Sequence, residues 1–300
     1  MEELRRDVIN IDAELLRRSS QSALHAAEQT RLHIASEFGA NVPSIMETLK
    51  SEGPYGYVIF PDVQPDGSVR LPIHTTREEI RQAYELTWAT SHMLAFQPVI
   101  ELRGTWYTFN EALSTVRLND TGTVIISEVV SLICASNVSV KGITGEAVWA
   151  RVPRAQLGCA PKATDASADE KMLRCQLLEL HDRYLQALRV ADVEGILDVM
   201  HDGAQAPVRD YVNDTGALVS LDGKEAHRAY FRSFFEKYRL ESVDLLDRIS
   251  QGWYLFSELR LTGRLRARAD ATVAFHTAEL FVPANDGRFI ARIGHGTDPA

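Results

Sequence analysis

Cysteine is scarce in this chain. Cys134, Cys159 and Cys175 are the three among 300 residues, and no two share a CxxC spacing. That excludes a disulfide framework and a thiolate metal knot. Long apolar runs are missing too, so no segment has the length of a membrane span. Met1-Glu2-Glu3-Leu4-Arg5-Arg6 leads into no secretory apolar stretch, and a cytoplasmic address is the expectation. Basic charge is in short supply: 32 Lys and Arg stand against 41 Asp and Glu, a formal net charge of −9. A partner rich in phosphate, such as nucleic acid, is therefore not expected. Arg264, Arg266 and Arg268 form the one basic cluster, and their period of two reads as a solvated strand face. There is no Gly-rich phosphate loop, no GxSxG elbow and no HExxH or HxxxH pair. His25 and His33 stand too far apart on their helix to share a metal. His74, His92, His201, His227, His276 and His295 show no ligand spacing. Neither a metal nor a cofactor is expected.

What is present is a repeat. Ala40 to Leu49 matches Ala191 to Met200 at an offset of 151, and Arg77 to Tyr84 matches Gly223 to Tyr230 at 146. Trp106 to Glu111 matches Trp253 to Glu258 at 147, and Trp149 to Val152 matches Ile290 to Ile293 at 141. Four matches in one order, at so long a period, mean two whole domains rather than a solenoid. The length suits that, and 45% apolar with 24% charged residues is an ordinary globular balance.

Each copy runs from helices to strands. Residues 2–37 read as a helix whose first part, 1–22, extends beyond the repeat. Residues 42–49 give a short second helix, with Pro43 in its first turn. A loop-rich stretch with Gly53-Pro54, Pro65-Asp66-Gly67 and Pro72 follows. Thr75 or Thr76 then caps a third helix reaching about Leu94. Alternating, β-branched sequence fills 99–152, with Asn119-Asp120-Thr121-Gly122 as a hairpin turn. Residues 153–170 read as a linker, between a first domain at 23–152 and a second at 171–300. The second copy repeats the pattern with helices at 171–189, 192–201 and 223–238. Helices followed by an antiparallel meander indicate an α+β class.

The candidate site residues come from comparing copies. Glu128 interrupts an apolar strand in one, and Glu279 does so in the other. Such a carboxylate either faces water or faces the interior, where lost hydration raises its pKa toward the range useful in acid–base catalysis. Tyr84, Trp88 and His92 lie at i, i+4 and i+8 of the third helix, a stripe that fits a core or a pocket wall. Trp106, Thr108 and Asn110 share one face of the next strand; their counterparts are Trp253, Leu255 and Ser257. His181-Asp182 has the form of a hydrolase metal dipeptide but lacks partner motifs, and reads as a surface pair.

His181-Asp182-Arg183-Tyr184-Leu185-Gln186-Ala187-Leu188, followed by Ala191-Asp192-Val193-Glu194-Gly195-Ile196-Leu197, resembles the opening of the ketosteroid isomerases and SnoaL-like cyclases. These are members of the nuclear transport factor 2-like superfamily. The resemblance covers both halves and implies two tandem cone-shaped α+β barrels, each with three helices on a curved, mostly antiparallel sheet around a deep pocket. It places an oxyanion donor at Tyr184 and a protonated acid at Glu279, with His33 and Glu128 in the first copy. The family's general-base Asp has no match: Pro207 and Val208 stand there, with Asp210 nearby, and Tyr55 and Tyr57 in the first copy.

The expected function is a cofactor-independent lyase, dehydratase or isomerase. Its expected substrate is bulky, cyclic and aromatic or polycyclic: a polyketide, a steroid, or a lignin-derived phenolic aryl-propane. The favoured first pocket would use Glu128, His33, Asn110 and His92 for catalysis, and Tyr57, Tyr84, Trp88 and Trp106 as walls. The second pocket would offer Tyr184, Ser257, Trp253 and Glu279. The alternative is a small-molecule-binding or dimerisation module of the same fold, because the fold serves many reactions. No nucleic-acid or membrane partner is expected, and a homo-oligomer is open.

Overall fold

The computed structural model describes residues 13–59, 62–63, 69–136, 141–151 and 166–299. Residues 1–12 of the N-terminal extension and residues 153–165 of the expected linker lie outside them. Two compact units emerge, one of residues 1–53 and 76–158, the other of 54–75 and 159–300. The loop-rich stretch 54–75, read from sequence as part of the first domain, thus groups with the second unit.

The first unit opens with α1 (Ala13–Phe38), α2 (Val42–Glu47) and α3 (Arg77–Thr90). Ala26, Gln29, Thr30 and His33 form the buried stripe of α1 at helical spacing. Asn41 caps α2 by accepting from the Ser44 N–H at 3.3 Å. Thr76 and Glu79 form a reciprocal capping box on α3. That helix stops at Thr90, short of the expected Leu94. Asn119 donates from Nδ2 to the carbonyls of Trp88 and Ala89, and from its backbone to Thr90. These bonds satisfy the orphan carbonyls of the last turn and release the chain into a strand.

Between α2 and α3 lie β1 (Gly56–Ile59), β2 (Asp62–Val63) and β3 (Val69–Arg70), all in the segment that groups with the second unit. After α3 come β4 (Ser91–Arg103), β5 (Tyr107–Leu118), β6 (Val124–Ala135) and β7 (Ile143–Arg151). They pair antiparallel in the order β7-β6-β5-β4. Register shifts between Met93 and Ala95, at Pro98, and after Cys134 bend this sheet.

The second unit continues with α4 (Ala166–Arg189), α5 (Val193–Asp198), β8 (Met200–Arg209), β9 (Leu218–Asp222) and α6 (Gly223–Lys237). It ends with β10 (Tyr238–Gln251), β11 (Tyr254–Leu265), β12 (Arg268–Pro283) and β13 (Phe289–Gly296). The sheet order is β10-β11-β12-β13-β8-β9, antiparallel except for β13 with β8. Its core joins Tyr184, Leu188 and Ile196 with Phe231, Phe234, Phe275 and Phe281. Arg264 and Arg268 fall on different strands with Arg266 in the turn between, so the basic cluster is not one strand face. Both units are thus α+β, three helices on a bent and mainly antiparallel sheet.

The repeat has a conformational signature. Ala40 (φ 46°) and Ala191 (φ 55°) both end their helices in the left-handed region, at the sequence offset of 151. A non-glycine residue seldom sits there, so the same strained corner twice marks equivalent backbones.

Candidate functional site

Strand register decides which residues of the two copies correspond. Ser257 lies opposite Glu279, and Asn110 lies opposite Ser131. Phe281 lies opposite Arg292, and Ile133 lies opposite Glu146. The counterpart of Glu279 is therefore Ser131, and that of Arg292 is Glu146. Glu128, expected as the buried acid of the first copy, sits an odd number of residues from Ser131 and so on the opposite face. Its side chain is 36% exposed and pairs with the Arg151 guanidinium across the β6–β7 ladder. The sequence alignment missed this because a three-residue slip keeps a Glu in register while inverting its face.

In the second unit, the interior polar residues surround a narrow cavity of about 30 Å³. Tyr211, Tyr230, Phe231, Phe234 and Phe275 line it with Leu188, Leu259 and Leu261; Tyr184, Thr277, Glu279 and Arg292 supply polarity. Arg292 donates to Glu279 Oε1 from Nη2 at 2.8 Å and from Nε at 3.3 Å. The Tyr184 hydroxyl donates to Glu279 Oε2 at 3.2 Å. All three side chains are buried. Burial drives the Tyr184 phenol well above its ordinary pKa; Arg292 opposes the shift and Glu279 reinforces it. Tyr184 is thus a donor that keeps its proton.

The Arg292 guanidinium also lies over the rings of Tyr184 and Phe231, at 5.4 and 5.2 Å. Its Nη1, and the Oγ1 of Thr277, have no protein hydrogen-bond partner among the described residues. Glu279 is consequently one half of a buried ion pair with Arg292.

Ser257 and Trp253 stand apart from this cavity. Ser257 is fully buried and contacts His181 Nε2 at 3.1 Å. Arg248 approaches the other ring nitrogen at 3.4 Å as a donor, which leaves Nε2 as the protonated nitrogen facing Ser257. Burial, then the Arg248 charge, push the His181 pKa down to about 3. His181 is therefore a neutral interior residue, not half of a surface pair. Trp253 precedes β11 and packs edge-on against Tyr254 at 4.9 Å. Asp210, near the missing general-base position, accepts from the backbone of Val212 and Asn213 and from Thr215. It is fixed as a turn residue.

The first unit gathers a different set. His33 Nε2 lies 2.9 Å from the Tyr84 hydroxyl, 3.3 Å from Glu146 Oε2 and 3.8 Å from Glu37 Oε1. Tyr84 donates to Glu146 Oε2 at 2.5 Å. Burial pulls the His33 pKa down, but the hydrogen bond and charge of Glu146, helped by Glu37, raise it overall. Burial and the Glu146 charge raise the Glu37 pKa against the opposing pull of His33.

His33 and Tyr84 thus meet, while the other residues expected in the first pocket do not join them. His92 is half-buried on β4, not on the helix, opposite Arg117. Trp88 is half-buried, and Trp106 sits in the turn before β5 with its ring edge-on to Tyr107 at 5.0 Å. Tyr57 belongs to the segment that groups with the second unit. Asn110 is buried, and its Nδ2 has no protein partner among the described residues.

Sequence reasoning overlooked Glu146, Arg292 and Glu37. The signal was available: Phe289-Ile290-Ala291-Arg292-Ile293 is an apolar strand with one charge, the same criterion that singled out Glu279.

Residues 181–292 match the family of the SnoaL-like domain. No curated protein matches the chain. Among solved structures, RV0760c from Mycobacterium tuberculosis is similar at 19% identity and a TM-score of 0.34, over 41% of this chain and 95% of that one. A putative polyketide cyclase from Xanthomonas campestris is similar at 13% identity and 0.33, over 41% and 90%. An epoxide hydrolase from M. tuberculosis is similar at 13% and 0.34, over 41% and 84%. The match to the SnoaL-like domain, residues 181–292, falls wholly within the second unit.

Proposed function

We propose that the second unit binds a flat, largely apolar cyclic molecule bearing a carbonyl or phenolic oxygen, and moves a proton on it without a cofactor. One observation carries this reading: a buried Arg292–Glu279–Tyr184 cluster in an aromatic-lined cavity, with Arg292 Nη1 and Thr277 Oγ1 unpaired among the described residues. The guanidinium edge would receive the substrate oxygen and stabilise negative charge as it develops there, in a site poor in water. Glu279 would take a proton from the carbon next to that oxygen, leaving the electron pair as an enolate held by Arg292. Return of the proton at another carbon would be isomerisation; departure of a hydroxyl as water would be dehydration. Polyketide, steroid and lignin-derived phenolic compounds all have the required flat shape and oxygen.

The second reading is a binder without turnover. It draws on the fact that both oxygens of Glu279 are already engaged, one by Arg292 and one by Tyr184. Solvent deuterium incorporation separates the two. Ketones and phenols that bind are incubated in deuterated buffer and followed by mass spectrometry. Exchange at the acidic C–H that disappears in Glu279→Gln supports the enzyme. Binding with no exchange above the buffer rate leaves the binder.

A further inference from the structure

We infer that His33, Glu37 and Glu146 of the first unit form a divalent metal site, with zinc as the best-fitting ion. Their ligand atoms all lie within 4.8 Å of one another. His33 Nε2 is 3.3 Å from Glu146 Oε2 and 3.8 Å from Glu37 Oε1. Imidazole and carboxylate ligands about 2.0–2.2 Å from a tetrahedral zinc stand roughly 3.3–3.6 Å apart, so small movements would seat the ion. The mixed nitrogen and oxygen set suits zinc better than calcium or magnesium, which prefer oxygen alone.

The supporting groups aim the imidazole. Thr48 gives its hydroxyl hydrogen to the Ile45 carbonyl at 2.6 Å. Its oxygen is then an acceptor, and His33 Nδ1, 2.5 Å away, must carry the proton that it accepts. Nε2 faces both carboxylates and is the ring nitrogen an ion would take. A fixed tautomer, oriented through the far ring nitrogen, is the usual outer support of a metal-bound histidine.

Chain geometry supplies the rest. His33 and Glu37 are one turn apart on α1, and Glu146 reaches them from β7. Glu37 is 15% exposed, which gives an ion a way in, whereas Glu146 and His33 are buried. Three protein ligands leave a fourth position for water or the adjacent Tyr84 hydroxyl. The second unit has Arg292 where the first has Glu146. The positive charge that one unit builds into its chain, the other takes from solution.

The test uses the full chain, stripped with a chelator and checked for folding by circular dichroism. Zinc is titrated in competition with a chromogenic chelator, and cobalt is titrated by visible absorption. One equivalent per chain is expected, with cobalt d–d bands and no thiolate charge-transfer band. Glu146→Gln and Glu37→Gln should each weaken binding at least about tenfold, and Thr48→Val about 10–100-fold while keeping every ligand. Should Glu146→Gln fail to fold, the partly exposed Glu37→Gln decides. Stoichiometry well below one, a thiolate band, or unchanged affinity in Glu37→Gln would overturn the assignment.

Discussion

The two units place their polar centres at the same junction, where the first long helix meets the last strand, and fill it with opposite charge. In the second unit Tyr184 on α4 lies beneath Arg292 on β13, and Glu279 balances the guanidinium. In the first, His33 on α1 meets Glu146 on β7, with Glu37 beside them. Ser131, small and neutral, occupies the place of Glu279. A fold can thus be kept while its interior electrostatics are inverted, because hydrophobic packing specifies the backbone and the junction demands only that buried charge be compensated. The second unit compensates with its own ion pair and leaves a cavity beside it. The first gathers two carboxylates around one imidazole.

The largest expected effect comes from breaking the second unit's pair. Arg292→Met leaves Glu279 buried without its partner and should destabilise that unit by about 3–5 kcal/mol in urea unfolding. Combining it with Glu279→Leu should recover much of the loss. If the double variant is as unstable as the sum of its singles, Glu279 and Arg292 are not coupled.

Acid comes next. Burial above all holds His181 near a pKa of about 3 and His227 near about 4. Both are depressed below the unfolded histidine value of about 6.5. The unfolded chain therefore binds more protons than the folded one between those limits, and stability falls as pH drops below about 6.5. Hydrogen exchange, corrected for intrinsic rates, should show protection in 171–299 falling between pH 7 and pH 4. Unchanged protection across α4 and α6 would mean that these imidazoles are hydrated.

A smaller effect tests the first unit. Tyr84→Phe removes a hydroxyl lying against both Glu146 and His33, and should cost about 1–3 kcal/mol. Tyr184→Phe should cost about 1 kcal/mol, since Arg292 still holds Glu279. Reversal of that order by thermal or urea unfolding would place the tighter network in the second unit. Smallest of all, Glu128→Gln should change stability by less than about 0.5–1 kcal/mol, because Glu128 is a half-exposed partner of Arg151. A loss of several kcal/mol would restore Glu128 as an interior acid.

Much of the architecture was legible because it rests on short-range rules. The repeat, the cap at Thr75 or Thr76, the turn at Asn119 to Gly122, and the helix-then-strand order follow from turn chemistry and periodicity. The end of α3 did not. Thr90 and Ser91 carry no strong stop signal, and the cap comes from Asn119, far along the chain. His92 moved from helix to strand for that reason. Tyr184, Glu279, His33 and Tyr84 were all visible as candidates. Their partners Arg292, Glu146 and Glu37 were not, since a charge in a strand announces burial only once its face is known.

By itself the sequence determined that two α+β units of similar pattern follow each other, because local propensity and the spacing of apolar residues act on nearby parts of the chain. Only the tertiary structure decided which carboxylates are interior. A strand presents alternate faces, so a slip of three residues exchanged Glu128 for Ser131 and hid Glu146. The chemistry of each unit depends on that parity, which is fixed when β5, β6 and β7, or β11, β12 and β13, pair across the sheet.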